Sequence, residues 1–195
     1  MKYLFLDDPR IPHLIQSATT DKSAAVRRQS LQHLQKLPWR QPQHWRDELK
    51  PWEKERLADA DPLFREVTDA ILPLLEGDPD GTVRTEAFGF LQRRLPEDEL
   101  HPLAKERLYH PLKGMRILAI EAYAWLRPCP ELAAELQPLL QDEDPRIVSE
   151  VLETLEWFGV HAKALKADVE ALDMDDTGVW LMADNALDAI DGIIR

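Results

Sequence analysis

The chain has 195 residues, of which 44% are hydrophobic, and it carries a formal net charge of -12. With only seven glycines and as many as fifteen prolines, the composition favours helices ended by prolines. The single cysteine excludes an internal disulfide and a paired-cysteine metal site. The acidic excess lies in the last third: from Pro130 onward there are 16 acidic and 4 basic residues, against 20 of each before it. This concentration of negative charge disfavours the binding of nucleic acid to the last third of the chain and favours the binding of a cationic partner.

The N-terminal segment carries no targeting signal that we recognise. Its opening apolar run, Met1 to Leu6, is too short for a signal-peptide core, and no later apolar run approaches the ~18 residues that a membrane span needs. The single cysteine, Cys129, fits a reducing compartment. We therefore expect a cytoplasmic protein without membrane contact.

An acidic or polar turn followed by an apolar residue recurs along the chain. In chain order these apolar residues are Val26, Val83, Met115, Ile147 and Val179. The last four are 32 residues apart, whereas 57 residues separate the first two. A fixed step of this length indicates a repeat architecture, and the longer first step predicts an insertion of about 25 residues.

Each turn predicts the start of a helix, because apolar residues follow it at intervals of three and four. The predicted helices cover 23–36, 81–94, 113–127, 145–158 and 177–191. The segments before the turns repeat with the same step, as in Leu100, Leu132 and Ala164, so each repeat is predicted to be a pair of helices. Proline inside the first helix of two pairs, at Pro73 and Pro138, predicts a kink there.

The repeat resembles the short bacterial form of the HEAT repeat. The resemblance rests on a proline in the first helix (Pro73), an acidic turn (Asp78), a Val-Arg pair (Val83 and Arg84) and a small residue four positions on (Ala87). It extends over about 21–192. The chain departs from the pattern at three positions, where His110 replaces the turn aspartate and Val148 and Trp180 replace the arginine.

The resemblance implies an all-α fold, an α-solenoid (superhelix) of about five HEAT-like helix pairs. It predicts a single domain over 1–195 with an insertion at about 39–60 between the first and second repeats. Neighbouring pairs in such a stack share one core, and its curvature creates a concave surface lined by the second helices. That surface is the expected binding site.

Acidic residues and tryptophans mark the exposed side of the later second helices. The candidate partner-binding residues are Glu121, Glu150, Glu153, Glu156, Asp184, Asp188, Trp125, Trp157 and Trp180. The carboxylates are either a solvated helix face or a dock for lysine and arginine side chains. Similarly, Trp125 and Trp157 either pack between repeats or act as interface hot spots. Trp180, in a slot that holds arginine elsewhere, is expected to be exposed or to cap the end.

Arginines share a register in the earlier repeats, and Arg84, Arg93 and Arg116 form a candidate basic patch. The resemblance implies a structural alternative, in which the repeat arginine pairs with the acidic turn of a neighbouring repeat. Basic residues also alternate with Trp39, Trp45 and Trp52 in the insertion, a pattern found in nucleic-acid binding. The alternative is that these rings pin the insertion to the first repeats, with part of 43–60 helical.

No catalytic, cofactor or metal motif emerges from the sequence. The six histidines lack metal-binding helical spacing, and neither a glycine-rich phosphate loop nor a nucleophile elbow is present. The acidic residues Glu97 to Glu99 are expected to complement a helix dipole. We therefore predict a non-catalytic protein-binding module, such as an adaptor, inhibitor or immunity protein, for a basic partner. The alternatives are a DNA-repair protein similar to the HEAT-like alkylpurine DNA glycosylases and, less favoured, a bilin lyase-like chaperone.

Overall fold

The computed structural model describes residues 9–36, 61–172 and 177–193, with side chains from 65 onward in the second range and from 179 onward in the third. Within these ranges there are helices and no strand. The α-helices are α1 (Arg10–Thr20), α2 (Ala24–Lys36), α3 (Asp61–Ile71), α4 (Leu74–Gly77), α5 (Gly81–Leu91), α6 (Glu97–Lys105), α7 (Lys113–Tyr123), α8 (Pro130–Leu136), α9 (Pro145–Phe158), α10 (Lys166–Glu170) and α11 (Thr177–Ile190); 3₁₀ helices cover Gln137–Gln141 and Gly159–Leu165.

The chain forms two compact units, Met1–Leu100 and His101–Arg195. The predicted insertion at about 39–60, with Trp39, Trp45 and Trp52, lies outside the described residues. The helix predicted within 43–60 is outside them as well, so the interpretation of this segment stays a prediction.

The second helices begin where the repeat predicts. Helices α5, α7, α9 and α11 start at positions 81, 113, 145 and 177, and α2 starts one residue after its predicted position. Two of them end earlier than predicted, at Leu91 and Tyr123. There the chain tightens into hydrogen bonds that span three residues, from Arg94 N to Leu91 O (2.9 Å) and from Leu126 N to Tyr123 O (3.0 Å). Such bonds satisfy terminal carbonyls while ending the α-helix.

The four turns before α2, α5, α7 and α9 share one hydrogen bond, while the turn before α11 lies outside the described residues. In each, a side chain accepts from the backbone N–H two residues on; the pairs are Asp21 and Ser23 (2.8 Å), Asp78 and Asp80 (2.8 Å), His110 and Leu112 (3.0 Å), and Asp142 and Asp144 (2.9 Å). In the third pair, Nδ1 of His110 replaces the carboxylate oxygen. The histidine that departs from the repeat pattern therefore supplies the same acceptor as an aspartate.

Proline interrupts the first helix of two pairs, as the kink prediction requires. Helix α3 ends at Ile71 and α4 begins after Pro73, while α8 gives way to the 3₁₀ helix Gln137–Gln141, which contains Pro138. A proline removes one backbone donor and its ring clashes with the preceding turn, so an uninterrupted α-helix is not maintained.

In the unit Met1–Leu100, α2 packs against α1 and α5, and α1 also packs against α3. Buried residues include Leu31, Leu34, Phe88 and Phe90. Val26 differs from the predicted pattern, because it is 38% exposed, whereas its counterparts Val83, Met115, Ile147 and Val179 are buried. The described residues contain no earlier helix pair that would cover this position.

In the unit His101–Arg195, α9 packs between α7 and α11, and the 3₁₀ helix Gly159–Leu165 packs against α8 and α11. The residues at the predicted core positions of this unit are buried, except Leu187, which is half-buried; the buried set is Met115, Ala119, Tyr123, Leu126, Ile147, Val151, Leu155, Phe158, Val179, Ala183 and Ile190. No helix within the described ranges is both long enough and apolar enough to cross a bilayer.

Candidate partner-binding surface

One side of α9 carries a row of residues that the core does not use. Glu150, Glu153 and Trp157 follow one another at intervals of three and four, and they therefore lie on the same face of the helix. Glu150 is half-buried, Glu153 is exposed, and Trp157 is 59% exposed. We refer to these three residues as the α9 stripe. The opposite side of the helix, including Val151 and Leu155, is fully buried.

The carboxylates of this region repel one another. The pKa of Glu150 is raised from its ordinary 4.5 to about 7, mainly by burial and in addition by the nearby carboxylates of Glu121 and Glu153. Arg146, one turn earlier on α9, acts against the shift but does not offset it. Three of the acidic residues predicted from the sequence, two on α9 and Glu121 on α7, are thus close enough to interact in the folded unit.

The remaining predicted acidic residues differ in their surroundings. Glu153 and Glu156 are exposed, and neither forms a hydrogen bond or ion pair with other residues of the described ranges. Glu121, Asp184 and Asp188 are half-buried and already interact with neighbouring groups. The carboxylates most open to a new ligand are therefore those of α9.

The predicted tryptophans are not equivalent in their exposure. Trp125 is half-buried, beyond the end of α7, whereas its counterpart Trp157 is exposed. Trp180 is 52% exposed, in the first turn of α11, although Val148 in the same slot of α9 is buried. The expected exposure of Trp180 is confirmed, and the binding role of all three tryptophans remains a prediction.

Two further exposed apolar residues near the end of α9 were not singled out from the sequence. Val160 is 58% exposed and Ile193 is 54% exposed. A Cβ atom added to Gly192 would lie 3.7 Å from Cγ1 of Val160, which places Val160 beside the segment that carries Ile193. Their only sequence signal is that Val160 follows Trp157 by three residues, and the 3₁₀ helix that continues α9 there was not predicted.

Part of the α9 stripe recurs in α7, where Glu121 and Trp125 occupy the slots of Glu153 and Trp157, but it is absent from the first two repeats. The positions equivalent to Trp157 hold Lys36 in α2 and Arg93 just after α5, and those equivalent to Glu153 hold Gln32 and Gly89. Because the repeat folds with cationic or neutral residues in these slots, helix packing does not require the acidic and aromatic residues of α9.

The repeat arginines are engaged in structural contacts. Arg27 forms two hydrogen bonds with Asp78, and Arg116 forms an ion pair of 2.7 Å with Asp142. Arg84 donates a hydrogen bond of 2.6 Å to the backbone carbonyl of Asp78. The pairing of the arginine with the acidic turn of the next repeat is thereby confirmed for Arg27 and Arg116. Arg93, the third residue of the candidate basic patch, is exposed.

A second polar cluster, in the unit His101–Arg195, joins α6, α7 and α8 at Glu135. Its carboxylate accepts hydrogen bonds from Lys105 (2.8 Å) and the Tyr123 hydroxyl (2.6 Å), and it lies 2.9 Å from Nε2 of His101. Although burial raises the pKa of Glu135, these three partners lower it to about 2. The described residues contain no group of three or more histidine, cysteine or carboxylate side chains arranged to hold a metal ion.

Comparison with known proteins identifies the fold. No protein-family model matches the chain, and no curated protein matches its sequence. An archaeal HEAT-like repeats protein from Thermococcus onnurineus NA1 is structurally similar, with a TM-score of 0.58 and 16% identity over 96% of this chain and 73% of that chain. An engineered protein is similar with a TM-score of 0.56 and 17% identity over 93% of this chain and 79% of that one. At the level of fold, the chain is therefore an all-α solenoid of HEAT-like helix pairs.

Proposed function

We propose that the chain is a non-catalytic protein-interaction module of the adaptor, inhibitor or immunity type. The acidic face of the unit His101–Arg195 binds a partner protein that presents a basic surface. The observation that carries this proposal is the grouping of three carboxylates on this face, Glu121 on α7 and Glu150 and Glu153 on α9, which lie close enough to interact; burial, together with the charges of Glu121 and Glu153, raises the pKa of Glu150 to about 7.

Like charges held close together destabilise a fold, and a bound lysine or arginine would relieve this repulsion. Glu153 and Glu156 add further negative charge, and no cation pairs with either of them within the described part of the chain. The exposed ring of Trp157 lies one turn from Glu153 and offers a face for a cation or an apolar side chain. HEAT-like repeats commonly serve as protein-interaction scaffolds, which is consistent with this role.

Charge reversal on the α9 stripe tests the proposal. The immobilised chain would capture proteins from cells of its source, and each captured protein would then be purified and titrated by calorimetry against the wild type and Glu150→Lys/Glu153→Lys. We expect a basic partner whose affinity falls at least about tenfold in this variant. The matched control, Glu66→Lys/Glu143→Lys, makes the same change of charge at two exposed positions that are not part of the α9 stripe.

The proposal is rejected if the control and the stripe variant weaken the binding of the partner equally, or if neither does. The same titration with a DNA duplex at low salt examines the DNA-binding alternative. Affinity for DNA that is lost in Arg93→Ala but unaffected by the stripe variant would favour that alternative instead.

A further inference from the structure

Three exposed apolar residues of the second unit, Trp157, Val160 and Ile193, lie near the point where α9 ends. Trp157 is followed by Val160 at an interval of three, and Val160 lies beside the segment of Ile193. All three side chains are more than half exposed. Scattered exposed apolar residues are ordinary on protein surfaces, but adjacent ones that include a tryptophan are typical of interaction sites.

Charge and apolar surface are ordered along this face. The carboxylates of Glu150 and Glu153 precede the apolar group along α9, and Glu156 adjoins it. The rise of an α-helix places Glu150 about 10 Å and Glu153 about 6 Å before Trp157. A ligand that covers both parts must therefore carry a cation and an apolar side chain at this separation.

We infer that this surface binds an amphipathic basic segment of the partner protein, in which apolar side chains cover Trp157, Val160 and Ile193 while lysine or arginine pairs with Glu150 and Glu153. The inference rests on the proposed function and names the kind of segment that the partner contributes. Two turns of a helix span about 10 Å, so cationic and apolar residues seven positions apart would match the two parts of the surface.

Charge complementarity selects this occupant over two others. A second copy of the chain would bring further negative charge, because the net charge is -12 and the excess lies in the same unit. A nucleic acid would place phosphates against Glu150 and Glu153, which is unfavourable. A purely cationic chain would satisfy the carboxylates but would leave the three apolar side chains in water.

Three labelled synthetic peptides of about 18 residues separate these requirements by fluorescence anisotropy. The first carries lysine and leucine on opposite faces of a helix, the second has the same composition in scrambled order, and the third is oligolysine. We expect the first to bind the full chain at least about tenfold more tightly than the other two. Trp157→Ala/Val160→Ala should remove this preference, whereas Tyr109→Ala, which truncates another exposed aromatic ring, should preserve it.

The outcomes distinguish this inference from the proposed function. If all three peptides bind equally and Glu150→Lys/Glu153→Lys abolishes their binding, the acidic face binds cations and the amphipathic segment is wrong. If Trp157→Ala/Val160→Ala leaves the preference for the first peptide unchanged, the apolar group is not part of the site and the inference is again overturned. If none of the peptides binds, the proposed function fails together with it. Circular dichroism of each variant shows that the helices are retained.

Discussion

The guanidinium of Arg27 donates two hydrogen bonds to the carboxylate of Asp78, from Nε at 2.7 Å and from Nη2 at 2.8 Å, across 51 residues of chain. Both side chains are buried, with 8% and 2% of their surfaces exposed. Arg116 and Asp142 form the corresponding pair across 26 residues, in a more exposed setting. The difference between the two spans is about the length of the insertion predicted from the repeat, so the insertion leaves this contact between successive pairs intact.

Neutralising Asp78 should destabilise the chain strongly. Asp78→Asn retains an acceptor for the turn but leaves the buried guanidinium of Arg27 without its anion, and we expect a loss of about 3 kcal/mol in the free energy of unfolding. Asp142→Asn, at the more exposed pair, should cost about 1 kcal/mol or less. Urea unfolding measures both. Equal losses would show that burial does not determine the strength of the two pairs.

Replacing Glu150 should stabilise the fold in a pH-dependent manner. Because the pKa of this carboxyl is raised in the folded state, the folded chain holds more protons than the unfolded chain between about pH 4.5 and pH 7, and stability falls as pH rises through this window. Glu150→Gln should raise the free energy of unfolding by about 1–3 kcal/mol at pH 8 and change it little at pH 4. Denaturation at both pH values, with Glu143→Gln as a control, tests this; a gain at pH 4 alone would contradict it.

The ionisation of Glu150 should also determine how the affinity for a basic ligand depends on pH. Glu150 is largely protonated at about pH 6 and largely ionised at about pH 8, so the affinity for the amphipathic lysine peptide should increase several-fold across this range. Anisotropy titrations at the two pH values would measure the change. In Glu150→Gln the affinity should become nearly independent of pH; a dependence that persists in this variant would assign it to another group.

Glu135 should stabilise the second unit at neutral pH and make its stability sensitive to acid. Its pKa is lowered in the folded state, so its contribution to stability is present above about pH 4.5 and is lost as pH falls towards 2. Glu135→Gln removes the charge that His101 and Lys105 contact, and it should cost about 1–3 kcal/mol at neutral pH. Thermal unfolding from neutral to acidic pH should show a shallower decline in the variant than in the wild type. Parallel pH profiles would refute this role.

His110 should be exchangeable for aspartate. Both residues offer an acceptor to the N–H of Leu112, which lies 3.0 Å from Nδ1 of His110. His110→Ala should lower the free energy of unfolding by about 1 kcal/mol, whereas His110→Asp should preserve it. The unfolding midpoints of the two variants and the wild type test the comparison. Equal destabilisation by both replacements would mean that the imidazole ring has a further role.

Sequence periodicity predicts the second helices well because an acidic or polar turn recurs before each of them, with aspartate in most repeats. The aspartates at positions 80 and 144 accept from N–H groups in the first turns of α5 and α9, and such caps are readable from sequence. Helix ends are less readable. The chain leaves α5 and α7 through bonds of the 3₁₀ type, and nothing in the apolar spacing distinguishes Leu91 or Tyr123 from the residues that follow.

The candidate surface could be predicted only in part. Helical spacing predicted Glu150 and Glu153 on the exposed face, but it left open whether Trp157 packs between repeats or faces a partner. Val160 and Ile193 escaped prediction, since they become neighbours through the fold around Gly159 and Gly192, whose φ angles of 53° and 76° are open mainly to glycine. The Glu135 cluster escaped for a similar reason: its partners come from helices whose contacts the repeat does not specify.

The ion pair between Arg116 and Asp142 spans 26 residues, which is less than the repeat step of 32. The segment 113–144 therefore contains both the arginine and the aspartate of one such pair. Its arginine finds its carboxylate 26 residues on, and the segment ends where the next second helix begins. A duplicate of these 32 residues, inserted after position 144, would provide a complete pair of its own and the same turn chemistry. We therefore expect the chain to accept whole additional copies of this segment without loss of the contacts between successive helix pairs.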